Sequence, residues 1–246
     1  MQRRIAIVLF LLFVTARALL PGGTALAAGA SGDQVTPSEV VLFVQSDLRN
    51  KRYIALAVCA LERALEAPVR VETLDVPLTG DLLARPGQYD ALKVANRFLA
   101  ATAADNGGRL FKYFLMAEDI TYGNYNYLFA QSYGDATTQI HMGLLSVARL
   151  ASIGHEPATG AAPADLVAQR ILKILFRSIA QTGGYRTAQG CVLAFPNSLA
   201  SLDQKPVTFC PDDRAALVAT GLLRPEERER CGVLVSEALP VARARR

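Results

Sequence analysis

Short apolar stretches alternate along this chain with longer segments whose apolar residues recur at helical spacing. Residues 40–45, VVLFVQ, are apolar and β-branched, and the apolar positions of 53–66 fall three and four apart. This predicts a buried strand followed by a helix. Residues 69–74 carry a second strand pattern, whereas 78–88 hold Pro, Gly and polar residues and read as a loop. Asp90 is placed to cap a helix over 91–104, which Asn106, Gly107 and Gly108 would close. A third strand is predicted over 111–118, with two more over 125–131 and 138–147 and Tyr133, Gly134 and Asp135 as the turn between them. A connection rich in Gly, Ala and Pro at 153–163 precedes a long helix over 165–181, and the remainder reads mostly as loop until 212–223. The order β-α-β-α-β-β-β-α predicts an α/β fold with parallel strands early and an edge strand late, assigned to 138–147.

With 246 residues, 51% of them hydrophobic, the chain is ample for one domain with a substantial core. No internal repeat or low-complexity block interrupts it. The N-terminus is basic at Arg3 and Arg4, apolar and uncharged over 5–14, and rich in small residues over 24–28. That is the pattern of an export signal cut after Ala27. A membrane anchor is the competing reading, but the apolar run is about half of the ~20 residues a spanning helix needs. Arg17 and Pro21 end it. The expected organisation is a signal peptide at 1–27, a flexible mature N-terminus at 28–38, the folded domain at 39–223 and a tail at 224–246, in a periplasmic or extracellular protein. Cleavage removes Arg3, Arg4 and Arg17 and no acid, so the net charge falls from +4 to +1. A near-neutral protein whose last basic cluster is Arg243, Arg245 and Arg246 gives no footprint for nucleic acid.

Candidate chemistry is sparse. The chain has two histidines, His141 and His155, so three histidines cannot meet on one metal within a single molecule. His141 falls in a predicted strand and reads as structural or surface. His155 and Glu156 lack a second histidine at the spacing a protease helix uses. There is no G-x-S-x-G elbow, phosphate loop or dinucleotide fingerprint. Ser201 and Lys205 stand four apart in a predicted loop, a common spacing. Tyr122, Tyr125, Tyr127 and Tyr133 with Phe129 read as strand packing, with a peptide groove as the alternative. The helix over 165–181 keeps a polar face of Arg170, Lys173, Arg177 and Gln181. All four cysteines, Cys59, Cys191, Cys210 and Cys231, survive cleavage and can pair in an oxidising compartment. Cys59 sits in an apolar helical pattern and is expected as a buried free thiol.

The stretch from Arg170 to Asp212, RILKILFRSIAQTGGYRTAQGCVLAFPNSLASLDQKPVTFCPD, runs from helix to glycine pair, to a Cys-Val-Leu turn, to a polar loop closed by Phe209-Cys210-Pro211. Its order resembles the C-terminal half of the archaemetzincins, small zinc metalloproteases whose helix carries H-E-x-x-H-x-x-G-x-x-H-C, followed by a C-x-M turn and a C-x-x-C pair. Segments 85–90, 113–120 and 143–150 resemble the same family in the same order, so the likeness spans about residues 40–222.

The resemblance implies a single-domain, metzincin-like mixed sheet with packed helices. Aligned on Lys173 and Gly184, it places Arg177, Gln181 and Thr187 at the three zinc histidines and Ser178 at the catalytic glutamate. Arginine repels a divalent cation, and serine is no general base in place of a carboxylate. The catalytic machinery is therefore expected to be absent, with zinc remaining only as something the family implies. At the family's second zinc, Cys191 and Cys210 match two of four cysteines, while Ala188 and Asp213 stand near the other two. Two thiolates and a carboxylate make a poor zinc site, and a Cys191–Cys210 disulfide is the simpler expectation, with Cys231 left as a possible partner. Leu193 takes the place of the turn methionine. Arg177 reads as a solvated helix residue, or with Gln181 as a binding position for a carboxylate such as a peptide C-terminus. The expected function is a non-catalytic pseudoprotease that binds a peptide or protein partner. The alternatives are a metal-dependent hydrolase with a rearranged site and a purely structural envelope protein.

Overall fold

The computed structural model describes residues 34–105, 109–135, 139–153, 162–185 and 191–226. These all belong to one unit, Gly32–Arg246. The expected signal peptide, His155, Thr187, Ala188, Cys231 and the C-terminal arginines lie outside the described residues. β1 (Glu39–Val44) leads through α1 (Ser46–Arg49) and α2 (Arg52–Ala64) to β2 (Val69–Thr73). β3 (Leu83–Arg85) and β4 (Gln88–Asp90) precede α3 (Ala91–Ala101), and β5 (Leu110–Met116), β6 (Asp119–Thr121), β7 (Ala130–Asp135) and β8 (Ile140–Ser146) follow it. α4 (Ala164–Thr182), α5 (Leu199–Gln204) and α6 (Pro211–Ala219) come last.

The fold is α/β. The main sheet has the order β2-β1-β5-β8-β7, and a small sheet has the order β3-β4-β6. β1 is parallel to β2 and β5, and β5 is parallel to β8. β7 pairs antiparallel with β8 and forms one edge, with β2 at the other. Because side chains alternate across a strand, each central strand feeds two cores. Val40, Leu42, Val44, Phe111, Tyr113 and Leu115 join the layer of α2 and α4, while Val41, Phe43, Phe114 and Met116 face α3. Strands buried on both faces explain the nearly continuous apolar runs at 40–44 and 111–116.

Several expectations are corrected. The edge strand is β7 and not 138–147, because β8 lies between β5 and β7. The strand expected at 125–131 begins only at Ala130, and Tyr133, Gly134 and Asp135 lie inside it rather than in a turn. Gly134 permits close approach there: a Cβ on it would sit 2.7 Å from the Thr182 carbonyl oxygen. The loop at 78–88 contains β3 and the start of β4. The loop after α4 contains α5, whose Ser198 and Ser201 form a reciprocal cap that reads in sequence only as polar residues. Asp90 does cap α3, its Oδ1 accepting from the backbone N–H of Leu92 and Lys93 at 2.9 and 3.1 Å.

Candidate functional site

The C-terminal half of α4 and the turn at 191–195 face each other. α4 is held under the sheet by Val167, Ile171, Leu175 and Ile179, all buried, which turns Lys173 and Arg177 toward the chain that returns after the helix. The helix stops at a glycine: Gly184 has φ +80°, its N–H donates to Gln181 O at 3.0 Å, and the Tyr185 N–H reaches back to Ala180 O at 2.8 Å. A residue with a side chain would be strained in this left-handed position, so Gly184 fixes where the chain leaves.

The returning turn is packed and covalently tied. Val192 and Leu193 are fully buried, and Ala194 N–H donates to Cys191 O at 3.0 Å. Cys191 and Cys210 are joined in a disulfide with Cα atoms 5.4 Å apart, linking this turn to the start of α6. Cys59 is also disulfide-bonded, which corrects the expected free thiol. Asp213 is buried one turn into α6, where the Tyr185 hydroxyl donates to its Oδ1 at 3.4 Å. Burial first, and then the Asp213 charge, push the Tyr185 phenol up.

The polar face of α4 is largely buried rather than open to a cleft. Arg170 is 1% exposed and Lys173 3%. Arg170 makes a paired contact to the Asp203 carboxylate, Nε to Oδ1 at 2.6 Å and Nη2 to Oδ2 at 2.7 Å. Its Nη1 also donates to Leu150 O and Ser152 O, both at 2.7 Å. Lys173 donates to Leu202 O at 2.9 Å. One turn further, Arg177 is half-buried, not the solvated residue expected. Its Nη1 donates to Leu193 O, and its Cζ lies 5.0 Å from the centroid of the Phe195 ring, itself exposed. Lys205, the residue that closes α5, donates to Ala194 O. Burial, then the charges of Arg177 and Lys173, push its ammonium down to about 8. Burial also lowers Arg177, which stays cationic.

Ser178 turns the other way. Its hydroxyl is 2.7 Å from that of Ser132 on β7, and its carbonyl accepts from Thr182 Oγ1 at 2.8 Å. Together with the Gly134 contact, this seats the edge strand on α4. Gln181 is exposed on the next turn. The structure thus brings Arg177 and Leu193 into contact, keeps Ser178 in the α4–β7 interface and leaves Gln181 at the surface. Lys205 and Phe195 were not singled out for the site in the sequence. Their signal was the polar segment 195–205 ending in lysine, opposite the cationic helix face.

These residues do not fit a zinc ion at either family position. Of the residues that the resemblance sets at those positions, Arg177 is a guanidinium hydrogen-bonded to the turn, and Cys191 and Cys210 are joined to each other. His141 is buried in β8, its ring stacked 4.7 Å from that of Phe111. Among the described residues no group of three His, Cys, Asp or Glu could hold a metal ion. The aromatic set divides: Tyr122 and Tyr125 are exposed, whereas Phe129 is buried and Tyr127 packs between it and Arg149, whose Cζ is 4.2 Å from the Tyr127 centroid.

No protein-family model and no curated protein sequence matches the chain. Solved structures do. Archaemetzincin from Archaeoglobus fulgidus, crystallised with malonate, is 21% identical, with a TM-score of 0.54 over 72% of this chain and 98% of that one. Archaemetzincin from Methanopyrus kandleri is 21% identical, with a TM-score of 0.56 over 77% of this chain and 96% of that one. A zinc-dependent peptidase from Methanocorpusculum labreanum is 22% identical, with a TM-score of 0.57 over 72% of this chain and 99% of that one. The chain therefore has the fold seen in the archaemetzincins.

Proposed function

We propose that the protein is an exported, non-catalytic pseudoprotease whose peptidase-like scaffold binds a peptide or protein partner. The observation that carries this reading is Arg177, which stands at the first zinc-ligand position of the resemblance and anchors its guanidinium on the Leu193 carbonyl. A fixed cation there opposes a divalent metal, and the paired Ser178 and Ser132 hydroxyls supply no carboxylate to activate water. The ligand lies along β7, one of the two edges of the main sheet, and meets Arg177 and Gln181 on the last two turns of α4. Export is supported by the basic, apolar and small-residue order of residues 1–28 and by disulfide bonding at Cys59, Cys191 and Cys210.

The test is the zinc content of protein recovered from the exported fraction without chelators, together with casein cleavage by the same sample. The expected result is far less than one zinc per chain and no chelator-sensitive cleavage. About one zinc per chain with chelator-sensitive cleavage overturns the reading in favour of a metal-dependent hydrolase with a rearranged site.

A further inference from the structure

Arg177 and Lys205 reach the turn from opposite elements and anchor on consecutive carbonyls, those of Leu193 and Ala194. Both heads therefore lie at the same turn, and the Arg177 charge acts on the Lys205 ammonium. Neither meets a carboxylate among the described residues. The acid nearest in sequence, Asp203, is engaged by Arg170. Such an arrangement carries a cost, because like charges in a half-buried site repel each other and each has lost part of its hydration. A third cation, Lys173, adds to the repulsion at Lys205. Each head still has donors to offer. Arg177 has used only Nη1, which leaves its Nε and Nη2 donors, and the Lys205 ammonium has given one of three N–H groups to Ala194. The exposed Phe195 ring beside the guanidinium provides an apolar wall to exclude water from one side.

We propose that Arg177 and Lys205 form a carboxylate clamp, in which one carboxylate of a peptide accepts from the Nε–Nη2 edge of Arg177 and from the Lys205 ammonium, beside Phe195. The carboxylate neutralises the repulsion that the fold otherwise sustains, and Arg177 supplies the planar fork that matches it. This inference rests on the peptide-binding reading above and names the ligand group that reading leaves open. The carboxylate comes from a peptide C-terminus or from an Asp or Glu side chain.

The test is an NMR titration of the Arg177 Nε–H resonance, identified by its absence in Arg177→Lys. Three probes are used: acetyl-Ala-Ala-Ala with a free carboxylate, the same peptide as its C-terminal amide, and acetyl-Ala-Asp-Ala amide. The free-acid peptide is expected to move the resonance saturably and the trialanine amide is not. A response to the Asp peptide as well means that the clamp takes either source, and its silence assigns the C-terminus. Lys205→Gln, checked for an unchanged fold, is expected to weaken the response roughly tenfold. The clamp is overturned if neither carboxylate peptide moves the resonance, if the trialanine amide binds as tightly as the acid, or if Lys205→Gln leaves affinity unchanged. Zinc content separates the two failures: metal-free protein with a silent Arg177 refutes the clamp alone, whereas zinc-loaded, active protein refutes the pseudoprotease reading.

Discussion

Arg170 and Arg177 stand about two turns apart on the same helix face, and they are treated in opposite ways. Arg170 is buried, meets the Asp203 carboxylate with paired hydrogen bonds and satisfies two further carbonyls. Arg177 is half-buried, meets one carbonyl and faces other cations. The first is a structural joint between α4, α5 and the chain at 150–152. The second has spare donors and meets no counter-charge among the described residues, which is the arrangement of a group that awaits a ligand. Helical spacing alone makes the two equivalent; the acid supplied by the returning chain separates them.

The largest expected effect breaks the structural half. Arg170→Met removes the guanidinium donors to Leu150 O and Ser152 O and the paired partner of the Asp203 carboxylate, which is about one-third exposed. A loss of about 2–4 kcal/mol is expected, read by urea denaturation at unchanged m-value. Arg177→Met is expected to cost less than about 1 kcal/mol, since it removes one hydrogen bond and also relieves repulsion. Equal losses in the two variants would erase the distinction between the halves.

An effect of intermediate size concerns the helix face that meets β7. Ser178→Ala leaves the Ser132 hydroxyl without its partner, and a loss of about 1 kcal/mol is expected. The double variant with Ser132→Ala is expected to be no less stable than Ser178→Ala alone, because both polar groups then leave together. Fully additive losses would mean that the two hydroxyls do not act as a pair.

How much of this was legible in the sequence follows from where the information resides. β1, β2, β5 and the caps of α3 and α4 were local signals: apolar runs, Asp90 and Gly184. β7 was not, because its glycine serves contact with Thr182 across more than forty residues of chain and mimics a turn when read locally. α5 was hidden for a related reason, since Ser198 and Ser201 satisfy each other's backbone and look like loop composition. At the site, the order of the segments singled out Arg177, Ser178 and Leu193, and the structure brings the first and last of these into contact. Periodicity groups Arg170, Lys173 and Arg177 on one polar face, but it shows which residues share a face and not what covers it. Lys205 stood out only as a lysine four residues from a serine. Its importance comes from contact with α4 and the turn, which no local pattern encodes.

The smallest expected effect sharpens the binding half through pH. Lys205 titrates at about 8 in the folded protein, below the ordinary lysine range, with burial as the first cause and Arg177 and Lys173 as the next. Between that value and the ordinary one, the unfolded chain holds the proton that the folded chain has released. Stability therefore rises as pH increases through about 8 toward about 10.4, and below about 8 the cost of the charge is fully present. Lys173 is also lowered, by burial against the opposing pull of Asp203, and adds slope of the same sign. The informative quantity is thus the difference between wild type and Lys205→Gln, followed by thermal unfolding from pH ~7 to ~10. The variant is expected to match or slightly exceed wild-type stability at neutral pH and to lose part of the alkaline gain. Binding of the free-acid peptide should run in the opposite direction for wild type, weakening as Lys205 loses its proton, while Lys205→Gln shows no such step. An identical alkaline gain in both proteins would mean that Lys205 does not carry the strained charge. The cation pair would then be no more poised for a carboxylate than the satisfied arginine two turns earlier.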